Sequence, residues 1–491
     1  MDKVKPPFLT TNRNTIYIVL FLLCLPLVFV NMNNSHDWGD DFAQYIHQAI
    51  NIVKHIPQSA TGFIFEKDAP GVDMQARSIG FPLMLAPLVF FFGITIHPFS
   101  IYISVLLIVA SFFLLKFFRT YFTDLTSILL VLIFIYNPFT LNFKMEIMSD
   151  IPFTLALILS IIEYQKTING KLKHYFITSI LVGCATLIRP IGMVILLAII
   201  INEVKTLLFE RSISNRFGVV IISAVSLFIY FFTNWLFHIP LDATGNYLKS
   251  ISIGNIGHII WNKLRYYVMM YRYYFMSGQG ILPFLAIFTQ YLVLTLTIIG
   301  FIKKCLKPGI LEFLVVGYMV ILFLYPDTNS GMRFIFPIVP LLLYYMAAAL
   351  SIIKINRYKD KIILGLGLFI LLPYSVSITN IIKNQNETLH GPQEKSSIEA
   401  FDYINKNCCS NSVIAFVKPR ALALYTDKKT YGYFNPDARK IMETFKRVGV
   451  NYILLHSEMR NEHADDFIKN NPDKTQLIWS NDKFKLYSIK L

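Results

Sequence analysis

The sequence predicts an α-helical protein that crosses a membrane many times and carries a small α/β domain outside the bilayer. Three observations support this fold class. Of the 491 residues, 55% are hydrophobic and only 15% are charged, whereas a soluble protein is about one quarter charged. Eleven apolar runs are long enough to cross a bilayer. From residue 383 onward the composition becomes polar. This pattern excludes a cytosolic enzyme and a disordered chain.

The first apolar run, from Ile16 to Val30, follows Lys3, Lys5 and Arg13 and is interpreted as an uncleaved first span. At a rise of about 1.5 Å per residue, about 20 helical residues cross about 30 Å of hydrocarbon. The predicted spans lie near residues 16–31, 99–118, 124–142, 151–166, 175–189, 190–207, 217–237, 281–302, 309–326, 333–353 and 361–382.

One further apolar stretch, from Ile79 to Ile94, is interpreted as non-crossing. Pro82, Pro87 and Gly93 interrupt it, which suits a helix that lies along or dips into the interface. With this choice, the cytoplasmic segments carry 18 Lys and Arg residues and the larger outer loops carry ten. The bias follows the positive-inside rule and explains most of the net charge of +15 without nucleic acid. The N-terminus is therefore predicted inside and the C-terminus outside.

Three large outer segments follow from this topology, namely residues 32–98, residues 238–280 and the tail. Residues 1–382 are assigned to a transmembrane domain and residues 383–491 to an extracytoplasmic α/β domain. Cations and aromatic residues interleave in 238–280, which fits the lipid headgroup belt better than single-stranded nucleic acid. In the tail, the pattern predicts helices at 397–405, 419–425 and 437–448, strands at 412–417 and 451–455, and a final hairpin around residues 481–482.

Two adjacent carboxylates, Asp40 and Asp41, open the first outer segment just before an amphipathic helix. Adjacent residues on a helix point about 100° apart, so the two side chains do not share one small site unless they precede or cap the helix. One then serves as a base while the other caps the first turn. The alternative is that both are ordinary charges at a helix N-terminus.

Further charged residues lie at outer ends of apolar segments. Arg77 precedes the non-crossing stretch, and Arg333 stands at the mouth of a later span. Together their paired donors fit a phosphate, whereas each alone also fits an interface anchor. Asp150 lies just before a span, where a helix cap with Pro152 in the first turn is the structural explanation.

Five motifs, in this order, resemble those of the membrane-embedded GT-C glycosyltransferases, especially the bacterial relatives of protein O-mannosyltransferases and of lipid A aminoarabinose transferases. The resemblance covers nearly the whole chain. The motifs are Asp40-Asp41-x-x-x-Tyr45, Arg77-x-x-Gly80-Phe81-Pro82, Met148-Ser149-Asp150-Ile151-Pro152, Leu187-Ile188-Arg189-Pro190-Ile191-Gly192 and Arg333-Phe334-x-x-Pro337-x-x-Pro340.

The resemblance implies a GT-C fold and inverting transfer of a sugar from a polyprenyl-phosphate donor to an extracytoplasmic glycolipid, cell-surface glycan or protein. Asp40 is the implied base, at the outer face of a bacterial inner membrane. No cofactor and no metal are expected, since the donor already carries its leaving group and no Cys/His ligand spacing occurs. The implied site residues are Asp40, Asp41 and Asp150 as catalytic and Arg77, Arg333, Tyr45 and Arg189 as substrate-binding.

Two other classes fit the same spans. A transporter or flippase of lipid-linked saccharides is one, although the sequence contains no inverted repeat and no ion pair at the membrane midplane. A polymerase or ligase that moves a lipid-linked glycan as a block is the other, and the identity of the donor distinguishes it.

Overall fold

The computed structural model describes residues 13–65, 76–167, 170–209, 216–239, 256–275, 283–325, 331–350, 359–432, 438–459 and 462–490. Most of them are helical. The helices up to residue 384 are α1 (Arg13–Cys24), α2 (Asp40–Val53), α3 (Gly80–Phe92), α4 (Ile96–Arg119), α5 (Asp124–Ile135), α6 (Pro138–Phe143), α7 (Asp150–Thr167), α8 (Leu172–Ile188), α9 (Met193–Phe209), α10 (Arg216–Leu236), α11 (Ile256–Tyr274), α12 (Pro283–Cys305), α13 (Ile310–Leu324), α14 (Val339–Leu350) and α15 (Lys359–Asn384).

Every predicted apolar run overlaps a helix of this series, which makes the chain a multi-pass membrane protein. Within the described ranges, five helices are long and apolar enough to cross a membrane, namely Ile96–Arg119, Pro190–Phe209, Phe217–Leu236, Ile287–Cys305 and Lys361–Asn384. Large apolar side chains such as Phe91, Phe209 and Phe217 are more than 70% exposed, as lipid-facing residues are. The number of crossings, eleven, stays a prediction. The start of the run near 281 and the end of the run near 353 lie outside the described residues.

The predicted span 124–142 is not one helix, because the run forms two helices. α5 ends at Ile135, and α6 begins at Pro138. The residue before a proline avoids the helical region, and Asn137 is accordingly extended, with φ −62° and ψ 134°. Its side chain accepts a hydrogen bond from the N–H of Phe139 at 2.9 Å and so caps α6.

The stretch that was interpreted as non-crossing forms α3, which contains 13 residues. At about 1.5 Å per residue it is about 20 Å long, shorter than the hydrocarbon layer. It runs through Pro87 and ends at Gly93, whose φ of +62° favours glycine. A Cβ on Gly80 would stand 2.5 Å from the carbonyl carbon of Leu187. Only glycine therefore lets the start of α3 lie directly against the end of α8, next to Arg189.

The polar tail forms a small α/β domain, here called the outer domain, with the expected mixture of helices and strands. The elements are α16 (Lys395–Asn407), β1 (Val413–Ala415), α17 (Pro419–Thr426), β2 (Lys429–Tyr431), α18 (Ala438–Val448), β3 (Val450–His456), α19 (Glu462–Asn470), β4 (Thr475–Ser480) and β5 (Phe484–Ile489). The five-stranded sheet has the order β2-β1-β3-β5-β4, with β1 parallel to β2 and β3 and the last hairpin antiparallel. Strand β2 and helix α19 were not predicted.

The two faces of this sheet belong to different cores. One face, with Tyr431, Ile453 and Leu455, packs against Ile441 and Phe445 of α18. The buried side chains of the other face join the same continuous apolar core as the transmembrane helices. The outer domain is thus built onto the membrane part through a shared core.

The first outer loop makes most of this junction. Trp38 lies edge-on to Phe416, with 5.6 Å between ring centres, in a group that also contains Phe401 and Phe484. Farther along the loop, the N–H of Ile64 donates to the carbonyl of Thr430 in β2 at 2.8 Å. The loop therefore contacts the outer domain on both sides of α2, which holds this helix against the domain.

Candidate active site

The two predicted carboxylates occupy the first turn of α2. The helix buries an apolar stripe that includes Phe42 and Ile46, both fully buried, so its rotation about its own axis is fixed. Because adjacent side chains leave the axis about 100° apart, Asp40 and Asp41 reach different partners. Asp41 faces the transmembrane helices, whereas Asp40 faces the outer domain.

Asp41 is the point where guanidinium groups converge. Arg77 Nη2 donates to Oδ1 and Arg333 Nη1 donates to Oδ2, and Arg420 Nη1 lies 3.3 Å from Oδ1. Arg77 and Arg333 are 21% and 20% exposed, which favours a shared site over two separate interface anchors. Burial alone would raise the pKa of Asp41, but Arg77, Arg333 and Arg420 outweigh it and hold this pKa well below its usual range.

Asp150 forms a second carboxylate centre at the start of α7, joined to the first by Arg333. Arg189 Nη1 donates to Asp150 Oδ1, and Arg333 Nε donates to Oδ2 at 3.3 Å. Arg189 also lies over the rings of Phe153 and Phe334, with 5.9 and 5.6 Å to the ring centres. Arg333 thus bridges Asp41 and Asp150. Asp150, which the sequence predicts as a helix cap, binds the guanidinium groups of Arg189 and Arg333.

Two buried glutamines of α2 hold Arg77 in place, and the sequence analysis did not single them out. Gln44 Oε1 accepts from Arg77 Nε at 2.9 Å. Gln48 pairs with the backbone of Arg77, accepting from its N–H at 2.8 Å and donating to its carbonyl at 3.0 Å. The spacing of four residues, which puts both amides on one face of a helix, is the signal that points to them.

Tyr45 supports the loop that precedes Asp150. Its hydroxyl lies 3.2 Å from Ser149 Oγ, and its ring meets Phe81 edge-on with 4.9 Å between centres. The side chain is buried. The structure therefore places Tyr45 between α3 and this loop, where it fixes the position of Asp150 relative to α2.

Asp40 binds the outer domain. Its Oδ1 accepts the backbone N–H groups of Arg420 and Ala421, both at 3.1 Å. It therefore caps α17, a helix of another domain, and not the first turn of its own helix. Burial raises the pKa of Asp40, against the opposing charge of Arg420. The two members of the acidic pair thus have pKa values shifted in opposite directions.

Glu146 is a further titratable residue of the site that the sequence analysis did not single out. It lies in the short loop between α6 and α7. Burial raises the pKa of its carboxyl group to about 8, helped by the negative charges of Asp37 and Asp150 and opposed by Arg333. A carboxylic acid that titrates close to neutral pH is a signature of functional sites. No local sequence motif predicts this pKa shift, since it depends on burial and on charged residues such as Asp37 and Arg333, which are distant in the sequence.

The arrangement can bind and stabilise negative charge at the predicted outer end of the helices. Guanidinium groups from Arg77, Arg189 and Arg333 meet at two largely buried carboxylates, and Arg420 joins them from the outer domain. Guanidinium groups fixed in advance by carboxylates and amides need little rearrangement when a phosphate arrives or a leaving group gains charge.

Comparison with solved structures shows the same fold in membrane glycosyltransferases. The oligosaccharyltransferase of Archaeoglobus fulgidus, in a complex with zinc and sulfate, matches with a TM-score of 0.60 and 13% identity, over 90% of this chain and 68% of that one. ArnT from Cupriavidus metallidurans matches in its apo state with a TM-score of 0.59 and 8% identity, over 97% of this chain and 98% of that one. ArnT bound to undecaprenyl phosphate gives 0.56 and 10%, with the same coverage.

These likenesses confirm the predicted GT-C fold. The sequence itself matches no protein-family model and no curated protein. At such identities the comparisons establish the fold alone, so the function has to be argued from the site.

A metal ion does not fit these carboxylates. Divalent cations prefer carboxylate oxygens as ligands, but both oxygens of Asp41 and both of Asp150 are paired with guanidinium groups. In the part of the chain that the structure describes, no group of three His, Cys, Asp or Glu side chains is arranged to hold a metal ion.

Proposed function

We propose that this protein is an inverting glycosyltransferase that moves a sugar from a polyprenyl-phosphate donor to an acceptor on the outer side of the membrane. The observation that carries the proposal is the meeting of Arg77 and Arg333 at Asp41, directly beside Asp40. The fold shared with ArnT, one of whose structures contains undecaprenyl phosphate, supports the choice of donor.

Arg77 and Arg333 bind the donor phosphate in this proposal. The phosphate gains negative charge as its bond to C1 of the sugar lengthens, and two fixed guanidinium groups stabilise that charge where water is scarce. Asp41 and Asp150 orient the guanidinium groups. Arg189 adds a further positive charge through Asp150, and Tyr45 contributes by fixing the loop before Asp150.

Asp40 is the proposed base. Its raised pKa suits proton transfer better than the depressed pKa of Asp41. The acceptor oxygen attacks C1 while Asp40 takes the proton of the acceptor hydroxyl, and the electron pair of the C1–O bond leaves with the phosphate. A single displacement of this kind inverts the anomeric centre, as in inverting glycosidases, where a carboxylate is the general base that activates the nucleophile.

The acceptor in this proposal is an extracytoplasmic glycolipid, cell-surface glycan or protein, and the membrane is the bacterial inner membrane. The N-terminus then lies in the cytoplasm and the outer domain outside. This orientation is supported by the distribution of Lys and Arg. It also places Asp40, Asp41 and Asp150 at the water–lipid boundary, where a polyprenyl-phosphate headgroup lies.

The test uses the purified full chain in lipid nanodiscs. It is incubated with polyprenyl-phosphate sugars and, separately, with polyprenyl-diphosphate oligosaccharides, and transfer to an extract of surface glycans and glycolipids is followed by mass spectrometry. We expect transfer from the monophosphate donors, with loss of about 10³-fold in Asp40→Asn and no loss in the exposed control Asp482→Asn. Activity with diphosphate donors alone would reject the proposal in favour of a ligase. Donor translocation without transfer, measured after reconstitution into sealed proteoliposomes, would reject it in favour of a flippase.

A further inference from the structure

The outer domain reaches the acidic pair through the first turn of α17. Arg420 and Ala421 donate their backbone N–H groups to Asp40 Oδ1. The guanidinium of Arg420 turns back to the same place, with Nη1 3.5 Å from Asp40 Oδ2 and 3.3 Å from Asp41 Oδ1. It also lies over the ring of Phe63, 5.0 Å from its centre. The Arg420 side chain is only 7% exposed, so water screens its charge little.

We infer that Arg420 is a positioning residue of the transferase site and that the outer domain is a working part of this site. The inference rests on the proposed function and deepens it. A residue that served only packing or solubility would not contact both members of the acidic pair at once.

The charges around the pair explain why Arg420 acts mainly on Asp40. The charged groups that face Asp40 are Arg420 and Lys418 of the outer domain and Asp41 of its own helix. Asp41 has Arg77 and Arg333 as further partners. Loss of Arg420 therefore leaves Asp41 well compensated, whereas Asp40 loses its nearest guanidinium. Without this charge the base becomes harder to ionise.

The packing of the domain explains how Arg420 reaches this position. α17 packs on α2, and the contacts of Trp38 and Ile64 with the outer domain flank α2 in sequence. Buried side chains of α17 and α2 belong to the same apolar core. The guanidinium is thereby held at the acidic pair by the fold of both domains.

The experiment compares Arg420→Gln, Arg420→Lys and the exposed control Lys446→Gln of the same domain. The pH profile of kcat/KM is measured for each full-length variant in nanodiscs, with the polyprenyl-phosphate sugar that the wild type uses. In Arg420→Gln we expect the acidic limb to move up by about one pH unit, with activity returning at alkaline pH. Arg420→Lys, which keeps the charge, should stay close to the wild-type limb, and Lys446→Gln should match the wild type.

Two results would overturn the inference, namely an acidic limb of Arg420→Gln that coincides with the wild type, or an equal loss of activity at every pH. Failure of the proposed function looks different, because the wild type itself then transfers no sugar from any polyprenyl-phosphate donor. In that case amide hydrogen exchange decides. Arg420→Gln should exchange faster than the wild type and Lys446→Gln in residues 38–48 and 419–426, and unchanged exchange there would refute the positioning role.

Discussion

Ion pairs at the two predicted faces of the membrane part differ in how far apart their partners lie in the sequence. On the outer face, Asp41 contacts arginines that lie 36, 292 and 379 positions away. On the cytoplasmic face, Glu163 contacts Lys166 and His174, which lie 3 and 11 positions away, and Arg119 contacts Asp124, 5 positions away.

This difference distinguishes ion pairs that only stabilise helix ends from ion pairs that belong to a functional site. Lys166 lies in the last turn of α7 and Asp124 in the first turn of α5, where their charges suit the helix dipole. Such local pairs follow from the helix ends themselves. Gathering four guanidinium groups at two largely buried carboxylates instead costs desolvation, which indicates that the outer cluster is retained for binding or chemistry.

A large effect on turnover is expected from breaking the outer cluster at Arg333. Lysine keeps the charge but lacks the fork through which Nη1 reaches Asp41 and Nε reaches Asp150. We expect Arg333→Lys to lower kcat by about 10²-fold. The matched change on the cytoplasmic face, Arg119→Lys, should leave kcat unchanged. Steady-state transfer rates measure both, and equal effects of the two variants would remove the distinction between the faces.

A second comparison separates the two roles of Asp40. Asparagine retains an oxygen that accepts the N–H groups of Arg420 and Ala421, whereas alanine does not. Both Asp40→Asn and Asp40→Ala should lower transfer by about 10³-fold, since both lack the base. Only Asp40→Ala should make the outer domain more sensitive to limited proteolysis, because a buried cap is lost. Equal protease resistance of the two variants would show that Asp40 does not hold the domain.

The fold was largely predictable because long apolar runs in the sequence predict membrane helices. The break at Asn137 was missed because the hydropathy of the run predicts one continuous helix, whereas Pro138 disfavours a helical conformation of Asn137. Strand β2 was also missed. It has three residues and no alternation, and its pairing with β1 is set by the tertiary fold. The number of membrane crossings depends on where the bilayer lies along the helices. Hydropathy and charge indicate this position only indirectly.

Sequence motifs could identify the residues of the candidate site but not the side chains that each of them contacts. Which of the two adjacent acids collects the guanidinium groups depends on the rotation of α2 about its axis, and buried side chains such as Phe42 fix that rotation. Arg420 stands 379 positions from Asp41, beyond the reach of any local pattern. The pKa of Glu146 likewise depends on neighbours that only the fold brings together.

A smaller effect is expected from Glu146, on stability rather than on turnover. Its pKa of about 8 in the folded protein lies above the ordinary value of 4.5, so the folded state binds the proton more tightly than the unfolded state does. This contribution to stability is fully present below the ordinary pKa and is lost as the pH rises through about 8. The melting temperature in detergent should therefore decline less between pH 5.5 and 8.5 in Glu146→Gln than in the wild type. The exposed control Glu443→Gln should keep the wild-type slope, and an unchanged slope in Glu146→Gln would contradict the assignment.

The smallest expected effect is that of chelation. The oxygens of Asp41 and Asp150 are occupied by guanidinium groups, so transfer should be insensitive to EDTA and to added Mg²⁺, Mn²⁺ or Zn²⁺. The melting temperature should not change either, because a cation that binds only the folded state would raise it. Loss of transfer in EDTA that is restored by one of these cations would mean that a metal ion displaces the guanidinium groups from the carboxylates. The outer cluster would then be a cation-binding site and not a phosphate-binding site.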